Sequence, residues 1–446
     1  MAKITLRVRA AAVLAGVSLA AAGMVAGGGP AVAGGRPAGH QGLRAAILAR
    51  ILRPGQTVPK PGMSSLLNGV FCTSSDNCWA VGGYTPRSAN AELNQILHWN
   101  GRNWSQVSSV PSPGGTAPGH FSVLYGVRCT SAGNCWAVGE YYRGGADLNQ
   151  ALHWNGKKWY LIPTPTPGGT LSGDENQLFD VVCPSATSCW AGGEFGTQTS
   201  SQETILNEVL HWNGKTWSEV RVPEPGGTGQ SDVQAVDGIR CTSTRYCLAV
   251  GTYGNLKTLT LANEALRWNG TRWSKVTAPN PQGVKTPGDI NELAGLGCAT
   301  ASNCWAAGTY GVFNTQTYLN DVLHWNGKKW SQQTTPDPDG TGTGAANQLS
   351  ALNCISATSC WAAGSYGSVT SGTGEILNEA LRWNGKKWSL VTTPSPAGTA
   401  NGDENELFSI RCTSASFCWT VGTQQKSGGP VRNEALRWNG TKWSSG

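Results

Sequence analysis

The chain has 446 residues, 39% hydrophobic and 13% charged, with 60 glycines, 20 tryptophans, 14 cysteines and a formal charge of +7. Residues 1–60 hold eight Lys or Arg and no Asp or Glu, so residues 61–446 carry 25 basic against 26 acidic side chains, a balance of −1. The bulk of the chain has no basic stripe to neutralise phosphates, which excludes a nucleic-acid partner.

Residues 1–33 read as an export signal: Lys3, Arg7 and Arg9 precede an Ala/Val/Leu run, and Ala31-Val32-Ala33 is a small-residue cleavage site. No other apolar run is long enough to cross a bilayer, so the processed protein is expected outside the cytoplasm, secreted or associated with the cell envelope, with no transmembrane segment. Residues 34–56 form a Gly/Pro-flanked leader in which Leu43, Ile47, Leu48, Ile51 and Leu52 share one side of a short helical stretch; it reads as loosely ordered.

From residue 57 the chain is seven copies of one unit. Each copy has a Cys pair with five residues between its members: Cys72 and Cys78, Cys129 and Cys135, Cys183 and Cys189, Cys241 and Cys247, Cys298 and Cys304, Cys354 and Cys360, Cys412 and Cys418. An even, paired cysteine count in an exported chain predicts seven disulfides, each local to its repeat. A tetrahedral zinc site would need two pairs from separate repeats to meet.

Each repeat reads as four short strands, the copies starting near 67, 124, 178, 236, 293, 349 and 407. The first strand ends at the first Cys, as in Leu67 to Cys72, and the second is Cys78 to Gly82. The third is Asn94 to Trp99, and an Asn100-Gly101 turn leads to Trp104 and the fourth. Asn-Gly between two apolar runs is the strongest short-range hairpin signal, because both residues tolerate positive φ. Alternation puts Trp79 and Val81 on one face of the second strand and Cys78 and Ala80 on the other. Repeats of 54–58 residues with apolar positions on both faces predict an all-β fold, a seven-bladed β-propeller with four antiparallel strands and one disulfide per blade. Blade seven stops at Gly446 without the Val-x-x-Pro-x-Pro-Gly tail of the other copies, and Val58 to Gly62 has that pattern, so residues 57–62 are expected to close the last blade.

On these repeats, residues 57–446 resemble secreted bacterial seven-bladed β-propeller proteins. The hairpin Trp-Asn-Gly-x-x-Trp is loosely similar to the Asp-box of sialidase-type propellers, with Asn for Asp, and Gly-Lys-Lys-Trp at 156–159 is faintly similar to a docking motif of quinoprotein dehydrogenases. Both motifs are structural in those families, so the resemblance implies the fold and carries no catalytic residue across.

His98, His153, His211, Arg267, His324, Arg382 and Arg437 share one repeat position; they are expected to stack on a neighbouring blade's Trp rather than to gather round a metal. The Asn that opens the third strand, Asn94 in the first copy, is expected to tie down a loop. Cys loops and Asn-Gly turns share one face of the ring, and the other face gathers the strand two to three loops and the inter-blade connections, where the copies differ most. Asp174, Asp232, Asp289 and Asp403, with Glu175, Glu404, Asn176, Asn291, Asn347 and Asn405, stand at the starts of first strands on that variable face. They are candidates for ligand binding round the channel mouth, for a glycan's hydroxyls or a cation such as calcium, against the alternative that they shape turns. No cofactor and no catalytic residue is indicated, no Gly-x-Ser-x-Gly elbow occurs, and no Asp/Glu pair stands out. The expected function is an exported, monomeric binding module for an extracellular glycan or protein, the alternative a carbohydrate-active hydrolase or lyase at the channel mouth.

Overall fold

The computed structural model describes residues 64–86, 91–199, 202–368 and 374–446. The signal, the leader and the closing residues 57–62 lie outside the described residues. Within them run 28 strands and one 3-10 turn, Phe313–Thr315. The strands form seven antiparallel sheets of four; the fifth and sixth touch through one parallel bridge, Tyr318 to Ala346. In blade one the strands are Ser65–Ser74, Asn77–Tyr84, Leu93–Trp99 and Trp104–Gln106. Each first strand packs against the first strands of both neighbouring blades, and the circuit returns from Glu404–Ser414 of blade seven to Ser65–Ser74 of blade one. The fold is a seven-bladed β-propeller with the first strands innermost.

The predicted disulfides are all present. Cys72 is bonded to Cys78, Cys129 to Cys135, Cys183 to Cys189, Cys241 to Cys247, Cys298 to Cys304, Cys354 to Cys360, and Cys412 to Cys418, and no described cysteine is free. Each bridge spans the first hairpin of its blade, and in six blades it joins directly paired positions; in blade three the ladder skips from Trp190 to Ser188, and Cys189 falls in the skip. The bridged Cα atoms lie 3.9–4.0 Å apart, closer than an ordinary cross-strand pair. The first strand carries one extra residue just after its repeated Leu or Val, Asn68 in blade one and Phe408 in blade seven, and the register shifts there. Opposite that bulge the second strand has a glycine in every copy: a Cβ on Gly82 or Gly364 would lie 2.0 or 1.9 Å from the facing carbonyl oxygen, so no other residue fits.

The Asn-Gly connections form the expected hairpins with a wider loop than a two-residue turn. Only the glycine takes positive φ (Gly101, +91°), and four residues rather than two separate the paired Trp99 and Trp104. The reason is the asparagine side chain: Asn100 Oδ1 accepts from the Arg102 and Asn103 amides at 3.0 and 3.1 Å, which holds the wider loop. The same pair of bonds recurs at Asn155, Asn213, Asn269, Asn326, Asn384 and Asn439.

The blade interfaces follow the predicted alternation. Trp79, Val81 and Ile96 pack toward blade two, and Cys78, Ala80 and Trp99 toward blade seven. The second-strand Trp sits among two Trp of the next blade, as Trp79 with Trp154 (4.9 Å) and edge-on to Trp159 (5.4 Å, 84°). Blade four has Leu248 instead of Trp, and Tyr246 fills part of the space, its hydroxyl accepting from Trp325 Nε1 at 2.9 Å.

The shared His position departs from the expected stacking. His98, His153, His211 and His324 lie 4.2–4.5 Å from the Trp of their own blade, because residues paired across the second and third strands meet before a neighbouring blade is reached. Of the arginines there, Arg382 and Arg437 do reach a neighbour, lying over Trp438 and Trp99.

Candidate functional site

The two faces of the ring are unlike. On the Cys-loop face the first hairpin closes the same way in every blade, Ser74 pairing Asn77 in blade one and Ser414 pairing Phe417 in blade seven. On the other face the second and third strands extend to different lengths: Asn134–Arg143 meets Ala146–Trp154 in blade two, whereas Phe417–Gln425 and Arg432–Trp438 in blade seven leave six residues between them. Variable loops on a rigid frame characterise binding surfaces.

The predicted acidic and amide residues lie on this variable face, each at the start of its own blade's first strand. Asp174 Oδ2 accepts from the Leu171 amide (2.7 Å) and Asp289 Oδ2 from the Thr286 amide (2.9 Å). Asp232 accepts from the Gly229 amide (2.8 Å) and from Asn255 Nδ2 (2.9 Å), and Asp403 from the Ala400 and Ser427 amides (3.2 and 3.0 Å). Asn176, Asn291, Asn347 and Asn405 repeat one pattern. Oδ1 accepts an amide from the incoming Pro-Gly connection, and Nδ2 donates to one carbonyl of that connection and one of the preceding blade's third-strand region. Gln234 in blade four and Ser122 in blade two take part of this role. Glu175 and Glu404 pair with the ends of their second strands, opposite Gly196 and Gln425. The set therefore positions the inter-blade connections, and its members are distributed round the ring. No cluster of three or more His, Cys, Asp or Glu suited to a metal occurs among the described residues.

Sequence reasoning missed two features. The first is an aromatic shelf at blade two, at the position where four of the other copies carry Asp. Phe121 stacks on Tyr142 (5.7 Å, 12°), His120 meets Tyr142 edge-on (6.3 Å), and all three residues are partly exposed. His120 Nδ1 lies 2.6 Å from the Gly114 carbonyl, which fixes the ring. Beside them Glu92, whose amide donates to the His120 carbonyl, has its carboxyl pushed up to about 8 by burial, so at neutral pH it is mostly a hydrogen-bond donor. A flat, partly exposed aromatic shelf suits the face of a sugar ring. The only hint in the sequence was a His that broke the repeat.

The second is a belt between blades. Asn94, Asn149, Asn207, Asn263 and Asn320 each donate Nδ2 to a buried third-strand side chain of the next blade, Gln150, Glu208, Glu264, Asp321 and Glu379, at 2.5–2.8 Å, and Asn378 does so to Glu434. The same Nδ2 donates to a proline carbonyl of its own blade's outgoing connection, as Asn94 to Pro111 (2.7 Å), which is the expected loop-tying role. Burial holds these carboxyls up, Glu208, Glu264 and Glu379 well above the ordinary range, Asp321 to about 7 and Glu434 to about 8. The Asn-Glu dipeptide repeated in the third strands carried this signal.

No family profile matches the sequence, and no curated protein matches it. Solved structures with a similar chain arrangement include a fucose-specific lectin from Aleuria aurantia (13% identity, 87% of this chain and 96% of that one, TM-score 0.39). A GH74 xyloglucanase from Xanthomonas campestris (11%, 86% and 55%, 0.48) and an acylaminoacyl peptidase from Pyrococcus horikoshii (7%, 85% and 52%, 0.47) are also similar. The chain spans about half the length of the xyloglucanase and of the peptidase. Likenesses this distant leave function to be read from the chain's own residues.

Proposed function

We propose that the protein is an exported binding module that holds an extracellular glycan against the variable face of the ring. The supporting observation is the asymmetry of the faces: one is uniform in all blades, the other varies in loop length and carries the His120, Phe121 and Tyr142 shelf next to Glu92. Export is supported by the seven disulfides, which persist in oxidising compartments. Asp174, Asp232, Asp289 and Asp403, with Glu175, Glu404, Asn176, Asn291, Asn347 and Asn405, border the binding face in this reading and set its loop geometry.

A glycan array with wild type, Tyr142→Ala and an Asp174/Asp289/Asp403 triple Ala variant tests it. Wild type should bind a defined set of glycans without turnover, Tyr142→Ala should weaken binding about tenfold, as expected for losing roughly 1.4 kcal/mol of ring contact, and the triple variant should bind less while keeping its disulfides. Absence of binding would overturn the reading, and release of shortened glycan would replace it with a carbohydrate-active enzyme.

A further inference from the structure

The residue just before the first Cys of each pair lies near the end of a first strand, at the Cys-loop end of the channel. In ring order these are Phe71, Arg128, Val182, Arg240, Gly297, Asn353 and Arg411. Phe71, Arg128, Arg240, Asn353 and Arg411 line one cavity of about 30 Å³ on the axis, together with Asp180. By the measure in which a water needs roughly 10–15 Å³, this is room for two or three waters, comparable to the bulk of one small tetrahedral oxyanion, and it opens along the channel.

The charges do not balance. Three guanidinium groups face one carboxylate, and that carboxylate is already committed: Asp180 pairs with Arg240 and accepts from the Val181 and Ile239 amides at 2.9 and 3.1 Å. Arg411 and Arg128 come from the blades on either side of blade one and lie over the Phe71 ring, 4.4 and 4.6 Å from its centroid. That contact fixes the planes of the two guanidiniums without neutralising them. Among the described residues neither has a carboxylate partner, and Arg411 Nε is buried without any acceptor. Asn353 uses Oδ1 to accept from the Cys412 amide at 3.0 Å, which leaves its Nδ2 as a further donor. Burial and the facing guanidiniums act against the charge of both and outweigh the attraction of Asp180 for Arg128, holding Arg128 well below the ordinary range and Arg411 at about 10; since guanidinium does not deprotonate in proteins, the repulsion remains in the fold. Two partly buried guanidiniums facing a single carboxylate that is already paired elsewhere are under-compensated.

We infer that the channel's Cys-loop end is an anion site in which Arg128, Arg411 and Asn353 hold a sulfate group, either as the free ion or as a sulfate ester on a sugar. Guanidinium forks match the geometry of tetrahedral oxyanions, and the Arg240–Asp180 pair forms a neutral wall beside them. The site lies at the opposite end of the ring from the variable face and does not depend on glycan binding there.

Thermal melts of the full exported chain test this, with sodium sulfate added at ionic strength matched by sodium chloride. Sulfate at a few millimolar should raise the melting temperature of wild type by several degrees, because a ligand bound only by the folded state stabilises it. The Arg128→Gln/Arg411→Gln variant should melt no lower than wild type without sulfate, since the repulsion is gone, and should not respond to it. Titration calorimetry with sodium sulfate and with glucose 6-sulfate, glucose serving as blank, separates the two sources: binding of both identifies an open ester site, and binding of sulfate alone a site for the free ion. If the double variant does not fold, Arg411→Lys keeps the charge and removes the fork, and should weaken sulfate at least tenfold. A sulfate response that follows ionic strength alone, that survives in the double variant, or that is undiminished in Arg411→Lys overturns the inference.

Discussion

At the scale of single residues the carboxyl belt sets the pH response. In blade two the belt position is an amide: Gln150 donates Nε2 to the Val123 and Glu140 carbonyls at 2.9 and 2.6 Å while its Oε1 accepts from Asn94. Where the position is Glu, the second oxygen of Glu208, Glu264, Glu379 and Glu434 has no donor among the described residues. A protonated carboxyl reproduces the amide's pattern; an ionised one would face desolvation with a single compensating bond. The folded protein therefore keeps these protons to higher pH than the unfolded chain does. Their contribution is complete below the ordinary carboxyl range near 4.5 and is lost as pH rises toward about 8, the value for Glu434. Each carboxyl changes stability by up to about 1.4 kcal/mol per pH unit inside that window. The melting temperature should be higher at pH 5 than at pH 8, and Glu434→Gln should raise it at pH 8 and leave it nearly unchanged at pH 5. A melting temperature that rises between pH 5 and 8 would contradict this account.

At the scale of strands and hairpins, much was legible because the signals are local and repeated. Cys spacing set the first hairpin, and alternation set which of Trp79 and Cys78 faces which neighbour. The turn at Asn100 was legible as a turn but not in its width, because a side-chain bond, not backbone preference, decides it. The channel arginines were illegible for another reason: Arg128, Arg240 and Arg411 are far apart in sequence, their column also holds Gly297 and Val182, and only ring closure brings them to one axis. The aromatic shelf had the same obscurity, since Tyr142 joins Phe121 only through the pairing of first and second strands. Each disulfide closes a loop of six-residue separation, worth about 2 kcal/mol by the chain-entropy relation, and spans a hairpin already held by backbone bonds and by packing on both faces. Replacing Cys72 and Cys78 together by Ala should leave a folded ring, destabilised by about that amount in denaturant melts. A variant unfolded in buffer at room temperature would show that the bridge does more than trim its hairpin.

At the scale of the whole molecule the issue is how a ring of repeats closes on itself. Blades one and seven are joined by the same apolar contacts as other pairs, Trp419 meeting Trp99 and Trp104 at 5.0 and 5.2 Å, and by polar bonds that tie the start of the described chain to its end. The Ser65 amide donates to the Val431 carbonyl (3.0 Å), the Asn433 amide to Ser65 Oγ (3.2 Å), and the Val70 amide to Ser409 Oγ (3.1 Å). In blades one to six the third-strand Asn donates Nδ2 to a proline carbonyl in its own blade's outgoing connection, Pro111, Pro165, Pro223, Pro279, Pro336 and Pro394. In blade seven the Gly446 amide donates to the Ala435 carbonyl as the Val107 amide does to Ile96, and the equivalent Asn433 lies at the seam with blade one. The matching residue by pattern is Pro59, in Val58-Pro59-Lys60-Pro61-Gly62. We propose that residues 57–62 complete the seventh connection and that Asn433 is its anchor. A ring held by the same apolar interface at all seven joints gains from this only the loop and its bonds, so deletion of residues 54–63 should lower the melting temperature by many degrees without abolishing folding. Asn433→Ala should produce a smaller loss in the intact chain and almost none in the deleted one, because two changes that remove the same contact do not add. An unchanged melt on deletion, or full additivity of the two, would show that the ring closes through the blade interface alone.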